Sequence, residues 1–135
     1  MNKYMEEQLG TPLSGVLPEM QESIVRRTTY FGVRAQKNPL DAWIYQEIIH
    51  ETRPDVIIEI GNGNGGGTLY LAHLCGLIGR GRVIGVDLSY EGVPGHVRSH
   101  PRITLITGDA CREFDRVREL IARDERVLVI EDSSH

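Results

Sequence analysis

The residues that can do chemistry are concentrated in one glycine-rich segment. It runs Glu59-Ile60-Gly61-Asn62-Gly63-Asn64-Gly65-Gly66-Gly67-Thr68. Glycines at such a place let the backbone turn sharply, and they let a ligand lie against main-chain N–H groups at the positive end of a helix. A merely flexible turn is the alternative. A predicted strand before the segment and a predicted helix after it favour a binding loop.

Two aspartates follow later strands. Asp87 ends the strand predicted over 82–87, where its carboxylate can accept hydrogen bonds from both hydroxyls of a ribose, so adenosine-containing ligands are favoured. The competing interpretation is an exposed loop aspartate that caps Ser89. Asp109 follows the third strand and either faces the adenine end of the ligand or caps a helix that begins near Cys111.

The glycines alone do not identify the nucleotide. Gly61, Gly63 and Gly66 also satisfy the G-x-G-x-x-G pattern of NAD-binding proteins. Glu59 adds the E-x-G-x-x-x-G form that is usual in methyltransferases, where the acid helps to hold the cationic aminoacyl part of S-adenosylmethionine (SAM). The predicted cofactor-binding set is therefore Glu59, Gly61, Asn62, Gly63, Gly65, Gly66, Thr68, Asp87 and Asp109. The alternative for Glu59 is a carboxylate buried by the sheet, which is costly without a partner.

The hydrophobic pattern predicts the elements that position these residues. Strands are predicted over 55–60, 82–87, 103–107 and 127–130, with helices from about Pro39 to Glu51, over 68–78 and from Phe114 to Ile121. This alternation indicates an α/β fold, a Rossmann-like open parallel sheet with strand order 3-2-1-4. Residues 1–38 form an N-terminal arm with a short helix over 18–27, and residues 39–135 form the SAM-binding domain.

The predicted sheet is incomplete. A full domain of this kind has about six strands, and four are predicted here. The strand over 127–130 then forms an exposed apolar edge unless something pairs with it. We therefore expect a fragment, or a chain completed by another copy in a homo-oligomer.

The composition of the chain disfavours several classes of binding partner. A formal net charge of −4 and the absence of a basic patch disfavour nucleic acid and anionic lipid. The polar amino terminus and the lack of a long apolar run predict a cytoplasmic protein without a membrane partner. Cys75 and Cys111 lack the spacing of a zinc site. A small-molecule substrate is expected.

From Tyr30 onward the sequence resembles the cephalosporin hydroxylase and rhamnosyl O-methyltransferase family. The resemblance rests on ordered blocks: Tyr30-Phe31-Gly32, Lys37-Asn38-Pro39-Leu40-Asp41, Gln46-Glu47-Ile48-Ile49, Arg53-Pro54-Asp55, Ile57-Ile58-Glu59-Ile60-Gly61, Gly65-Gly66-Gly67-Thr68, Val83-Ile84-Gly85-Val86-Asp87, His100-Pro101-Arg102-Ile103, Gly108-Asp109 and Val129-Ile130-Glu131-Asp132-Ser133-Ser134-His135. The chain departs from the family at Thr68, where serine is common, and at Glu131, where a hydrophobic residue is common.

The resemblance implies SAM-dependent O-methylation of a hydroxylated small molecule such as a sugar or an antibiotic-like product. It also implies a divalent ion, usually Mg²⁺, with Asp132 as the first metal ligand and catalytic carboxylate. His135 is a candidate general base or substrate contact, and the alternative is an ordinary loop histidine. Two other functions stay open: an NAD(P)-dependent oxidoreductase, and a non-catalytic SAM-binding or assembly fragment.

Overall fold

A computed structural model describes residues 12–133 as a parallel sheet with helices on both faces and a small antiparallel hairpin at one side. The elements in chain order are α1 (Leu13–Ser23), a 3-10 turn (Val25–Arg27), β1 (Thr29–Tyr30), β2 (Val33–Arg34), α2 (Pro39–Thr52), β3 (Val56–Ile60), α3 (Gly66–Leu77), β4 (Arg82–Asp87), α4 (Gly95–Arg98), β5 (Ile103–Thr107), α5 (Phe114–Glu119) and β6 (Val127–Glu131). No helix within residues 12–133 is both long and apolar enough to cross a bilayer.

The four main strands lie in the order β5-β4-β3-β6, and all of them are parallel. This confirms the predicted strand order and fold class. In the register, Ile60 lies opposite Val86 on one side and Glu131 on the other. The carboxyl ends of β3, β4 and β6 therefore meet at one edge, which is where ligands bind in open sheets of this kind.

The two faces of the sheet are covered unequally. On one face, α3 packs against β3 and β4 through buried residues that include Leu71, Cys75 and Ile57. On the other face the core is smaller, and α5 contributes Val117 as its buried residue. An apolar groove of about 850 Å³ stays open between α5 and the β3–β6 side of the sheet. Val129 on the edge strand β6 is 56% exposed.

The arm differs from its prediction. The first helix was expected over 18–27, but it spans Leu13–Ser23 with Pro18 inside it, and a 3-10 turn follows. The β1–β2 hairpin and the four-residue helix α4 were not predicted, because elements this short show no readable periodicity. Helix α5 ends at Glu119, short of the predicted Ile121.

Candidate active site

A cavity of about 620 Å³ opens at the carboxyl edge of the sheet. Its wall includes Gly61 and Gly63 from the glycine-rich loop, Asp87 after β4 and Asp132 after β6. The arm contributes Lys37 to the same wall. This volume lies within the roughly 300–1,000 Å³ that is usual for small-molecule sites.

Asp87 holds the first part of the loop. Its Oδ2 accepts hydrogen bonds from the backbone N–H of Asn62 (2.7 Å) and of Gly63 (2.8 Å). Within the described residues no hydrogen bond joins Asp87 to Ser89, so the capping alternative is not what the structure shows. Both loop contacts use Oδ2, and the second oxygen, Oδ1, takes part in neither.

A buried polar cluster supports the loop from below. The Glu59 side chain is fully buried, and its Oε2 accepts hydrogen bonds from Asn62 Nδ2 (2.7 Å) and Thr68 Oγ1 (2.6 Å). The hydroxyl of Tyr90 donates to Asn62 Oδ1 at 2.9 Å. Burial raises the pKa of Tyr90, and the charges of Asp87 and Glu59 raise it further, so this hydroxyl stays protonated as a donor.

Lys37 connects Glu59 to Asp132. Its Nζ lies 3.2 Å from Glu59 Oε1 and donates a hydrogen bond to Asp132 Oδ2. Glu59 Oε1 is close enough for an ion pair but makes no hydrogen bond. Burial lowers the pKa of Lys37, but the charges of Glu59 and Asp132 and the hydrogen bond to Asp132 outweigh it, so the pKa is raised. The lysine is therefore a fixed cation at the edge of the cavity.

The end of the glycine run lies under the arm. A β-carbon on Gly66 would lie 2.6 Å from the carbonyl oxygens of Val33 and Arg34. A β-carbon on Gly67 would lie 2.7 Å from Lys37 Cε and 2.8 Å from Glu59 Oε1. A β-carbon on Gly66 would force the hairpin backbone to move, and one on Gly67 would force the side chains of Lys37 and Glu59 to shift. These glycines therefore allow the hairpin and the lysine to pack against α3.

The structure divides the predicted site residues into three groups. Gly61, Asn62, Gly63, Asp87, Asp109 and Asp132 line the cavity. Glu59, Gly65, Gly66 and Thr68 are not part of its wall: Glu59 and Thr68 lie beneath the loop, Gly65 precedes α3, and Gly66 faces the hairpin. His135 lies outside the described residues. Contact of any of them with a cofactor stays a prediction.

Asp109 combines features of both of its interpretations. Its Oδ1 accepts hydrogen bonds from the N–H groups of Cys111 (2.9 Å) and Arg112 (3.3 Å), which caps a turn. The helix itself begins only at Phe114. Because Asp109 also lines the cavity, capping does not remove it from the site.

Sequence reasoning missed Lys37 as a site residue. A lone lysine in a loop has no spacing that predicts a function. The available signal was Glu59 itself, because a carboxylate buried inside a sheet requires a partner.

The described residues do not by themselves form a magnesium site. Within residues 12–133, no three histidine, cysteine, aspartate or glutamate side chains come together in a way that could hold a metal ion. Asp132, the predicted first ligand, already binds the ammonium of Lys37. A hard divalent cation prefers several oxygen ligands.

The strand order, the glycine loop and the terminal aspartate define a Rossmann-like nucleotide-binding domain. Residues 22–135 match the model of the Rhamnosyl O-methyltransferase/CmcI family, and the chain belongs to that family. It is 35% identical over 115 residues to the rhamnosyl O-methyltransferase of Mycobacterium tuberculosis (strain CDC 1551 / Oshkosh), covering 81% of this chain and 46% of that protein. It is 34% identical over 114 residues to the rhamnosyl O-methyltransferase of Mycobacterium leprae (strain TN), and this alignment covers 80% of this chain and 48% of that protein. The chain thus spans about half the length of these relatives.

Solved structures agree with this fold. The Mg-SAM structure of CmcI superposes with a TM-score of 0.68 at 27% identity, covering 80% of this chain and 47% of CmcI. A CmcI structure with SAH superposes with a TM-score of 0.64 at 26% identity, covering 80% of this chain and 54% of that chain. An O-methyltransferase from Bacillus cereus in complex with SAH gives 0.54 at 17% identity, covering 96% and 60%, and shows the fold alone.

Proposed function

We propose that this chain forms the SAM-binding half of an O-methyltransferase that acts on a hydroxyl group of a small molecule, such as a sugar or an antibiotic-like product. The observation that carries the proposal is the cavity between the glycine loop and Asp87. Family membership supports the chemistry, because the relatives are rhamnosyl O-methyltransferases.

In this proposal the nucleoside lies along the backbone of Gly61 to Gly63. Asp87 uses Oδ2 to hold the loop and offers Oδ1 to the ribose hydroxyls. Glu59 is assigned a supporting role instead of direct contact with the aminoacyl group, because it is fully buried and already binds Asn62 and Thr68.

The reaction forms one oxygen–carbon bond and breaks two bonds, the carbon–sulfur bond of SAM and the oxygen–hydrogen bond of the acceptor. The acceptor oxygen attacks the methyl carbon of SAM, the carbon–sulfur bond breaks, and the products are a methyl ether, S-adenosylhomocysteine (SAH) and a proton. The described residues contribute the positioning of the cofactor. Magnesium enters no step of this proposal, and His135 as the base stays a prediction.

The comparisons bear on the two alternative functions. The family match does not favour an NAD(P)-dependent oxidoreductase. A chain that binds SAM without transferring the methyl group is the second candidate. We further propose the boundary between an arm (1–38) and a domain (39–135), a cytoplasmic location, association with further copies, and no nucleic acid or membrane partner.

The test is calorimetric titration of SAH into the wild type and Asp87→Ala. Hydrogen bonds to charged groups contribute about 1.5 to 3 kcal/mol, so we expect the dissociation constant to rise by roughly 10- to 100-fold. Asp87→Asn keeps one acceptor oxygen for the loop and should lie between the two. Asp115→Ala, an exposed residue of α5, is the matched control. Equal affinity in Asp87→Ala, or binding of NADH in place of SAH, would refute the proposal.

A further inference from the structure

Two carboxylates converge on the ammonium of Lys37. Glu59 Oε1 lies 3.2 Å from Nζ, and Asp132 Oδ2 accepts a hydrogen bond from the same nitrogen. Lys37 is only 12% exposed at its side chain, and Glu59 not at all. We propose that Glu59 and Asp132 form a cation site that Lys37 fills from within the chain, so that a divalent ion binds there only when the ammonium is absent.

The first support is the state of Glu59. Its Oε2 is satisfied by Asn62 and Thr68, while Oε1 is buried without a hydrogen bond. A buried carboxylate is tolerated when a charge of opposite sign lies beside it, and it is costly otherwise. Oε1 is therefore an oxygen that requires a cation, and Lys37 supplies one.

The second support is that both partners are held in place. The backbone N–H of Lys37 donates to Thr28 Oγ1 at 3.1 Å, and the single proton of this hydroxyl is shared between the carbonyls of Val25 (2.8 Å) and Lys37 (3.0 Å). The backbone N–H of Asp132 donates to the Ile60 carbonyl at 2.9 Å, which continues the β3–β6 pairing. Gly67 leaves the room through which the lysine reaches Glu59.

A tethered ammonium has a large advantage over an ion in solution. Its effective concentration at the two carboxylates is set by the chain, as for any intramolecular binding group. Mg²⁺ must also lose water from a tightly held shell before it can bind protein oxygens. Lys37 therefore supplies the cation that contacts Asp132, the residue to which the family resemblance assigns a metal ion, and it holds Asp132 without a metal. This inference holds whether or not the cavity binds SAM.

The chain offers a direct probe, because it contains only two lysines, Lys3 and Lys37. In a sample labelled with ¹⁵N-lysine, the Lys37 ammonium should give a signal that is absent in Lys37→Arg. We expect Asp132→Asn to shift that signal and millimolar Mg²⁺ to leave it unchanged in the wild type. A signal that does not shift in Asp132→Asn, or one that shifts when Mg²⁺ is added to the wild type, would overturn the proposal.

Removing the ammonium should open the site. In Lys37→Ala we expect Mn²⁺, measured as bound and free ion by electron paramagnetic resonance, to bind at least about tenfold more tightly than in the wild type, because a repelling charge is lost. Lys37→Met refills the space with an apolar chain and should gain less. The double variant with Asp132→Asn should return to wild-type affinity.

Equal Mn²⁺ binding in the wild type and Lys37→Ala, including no detectable binding to either, would contradict the proposal. The lysine signal of the wild type decides the question independently if Lys37→Ala does not fold. Neither measurement depends on SAM, so a failure here is distinguishable from a failure of the proposed methyltransferase function.

Discussion

The glycine-rich segment consists of two regions that use the same amino acid for different reasons. Gly61 and Gly63 line an open cavity and have positive φ values of 84° and 51°. Gly66 and Gly67 begin helix α3 and lie against the arm, where a β-carbon would meet Val33, Arg34 or Lys37 within 3 Å. Gly63 is required by the backbone turn alone, since its β-carbon would have room, whereas Gly61 is required both by the turn and by the Asp132 backbone, whose carbonyl oxygen would lie 2.5 Å from a β-carbon. The second pair is required by the absence of space beneath the arm.

This difference shows that a run of glycines is not one functional unit. In the cavity region, Asp87 holds two backbone N–H groups of the loop beside an open cavity. In the arm region, Gly66 and Gly67 are buried, and they allow the hairpin to pack against the domain. Variants that affect one region and spare the other can therefore test the comparison.

The largest effect is expected at Gly66. Its methyl variant, Gly66→Ala, would place a carbon 2.6 Å from two backbone oxygens, so the hairpin must move. Overpacking of this kind costs up to about 3 kcal/mol, and we expect a loss of roughly 2 to 3 kcal/mol in the free energy of unfolding. Urea denaturation measures it.

Gly63→Ala is the matched control in the cavity region. Its β-carbon would have open space, with the nearest atom 3.7 Å away, but its φ of +51° is unfavourable for alanine. We expect a loss of about 1 kcal/mol from this backbone strain, together with weaker SAH binding than in Gly66→Ala. If Gly63→Ala proved the less stable of the two variants, the distinction between the regions would be wrong.

Two tyrosines sharpen the comparison with a smaller effect. Tyr90 donates to Asn62 beneath the cavity region, and Tyr70 donates to the Ala42 carbonyl beside the arm. Each phenylalanine variant should lower the free energy of unfolding by about 1 kcal/mol, the usual value of such a hydrogen bond. Only Tyr90→Phe should also weaken SAH binding, since Asn62 loses its support. Calorimetry and urea denaturation of both variants decide this, and equal losses of affinity would count against it.

The smallest effect lies at the opposite edge of the sheet and should touch neither region. Arg82 contacts both oxygens of Glu125, at 2.5 and 2.9 Å, and this holds the pKa of Glu125 at about 2. Because the pKa of Glu125 is lowered in the folded state, the ionised carboxylate stabilises the fold at pH values above its ordinary pKa of 4.5. This stabilisation is lost as the pH falls from 4.5 toward 2.

Arg82→Met should therefore flatten the decline in stability between about pH 5 and pH 3. Denaturation at several pH values measures the change. A decline identical to that of the wild type would show that this pair does not cause it, and a changed SAH affinity at neutral pH would show that the two edges are coupled.

The strands were the most predictable part of the chain. The second and third were predicted with the bounds that the structure has, and the others within one residue. Buried parallel strands are short β-branched runs between glycine, proline and polar residues, and this pattern is local. The arm was poorly predicted because its two strands have two residues each.

The site was predictable only in part. Asp87 and the glycine loop could be predicted because strand ends in a parallel sheet meet at one edge. The role of Asn62 could not, since its side chain points down to Glu59, Thr68 and Tyr90 instead of toward the cavity. Nothing in the spacing distinguishes an asparagine above the loop from one below it.

By itself, the sequence determined the strands, the position of the loop and the terminal Asp87, because each follows from a pattern of a few neighbouring residues. The strand order could be predicted from the alternation of strands and helices along the chain. Only the tertiary structure decided which glycines face the cavity and which cation lies beside Glu59. Lys37 and Asp132 are 95 positions apart along the chain. Their contact depends on the folded path of the arm over α3, which no local pattern specifies.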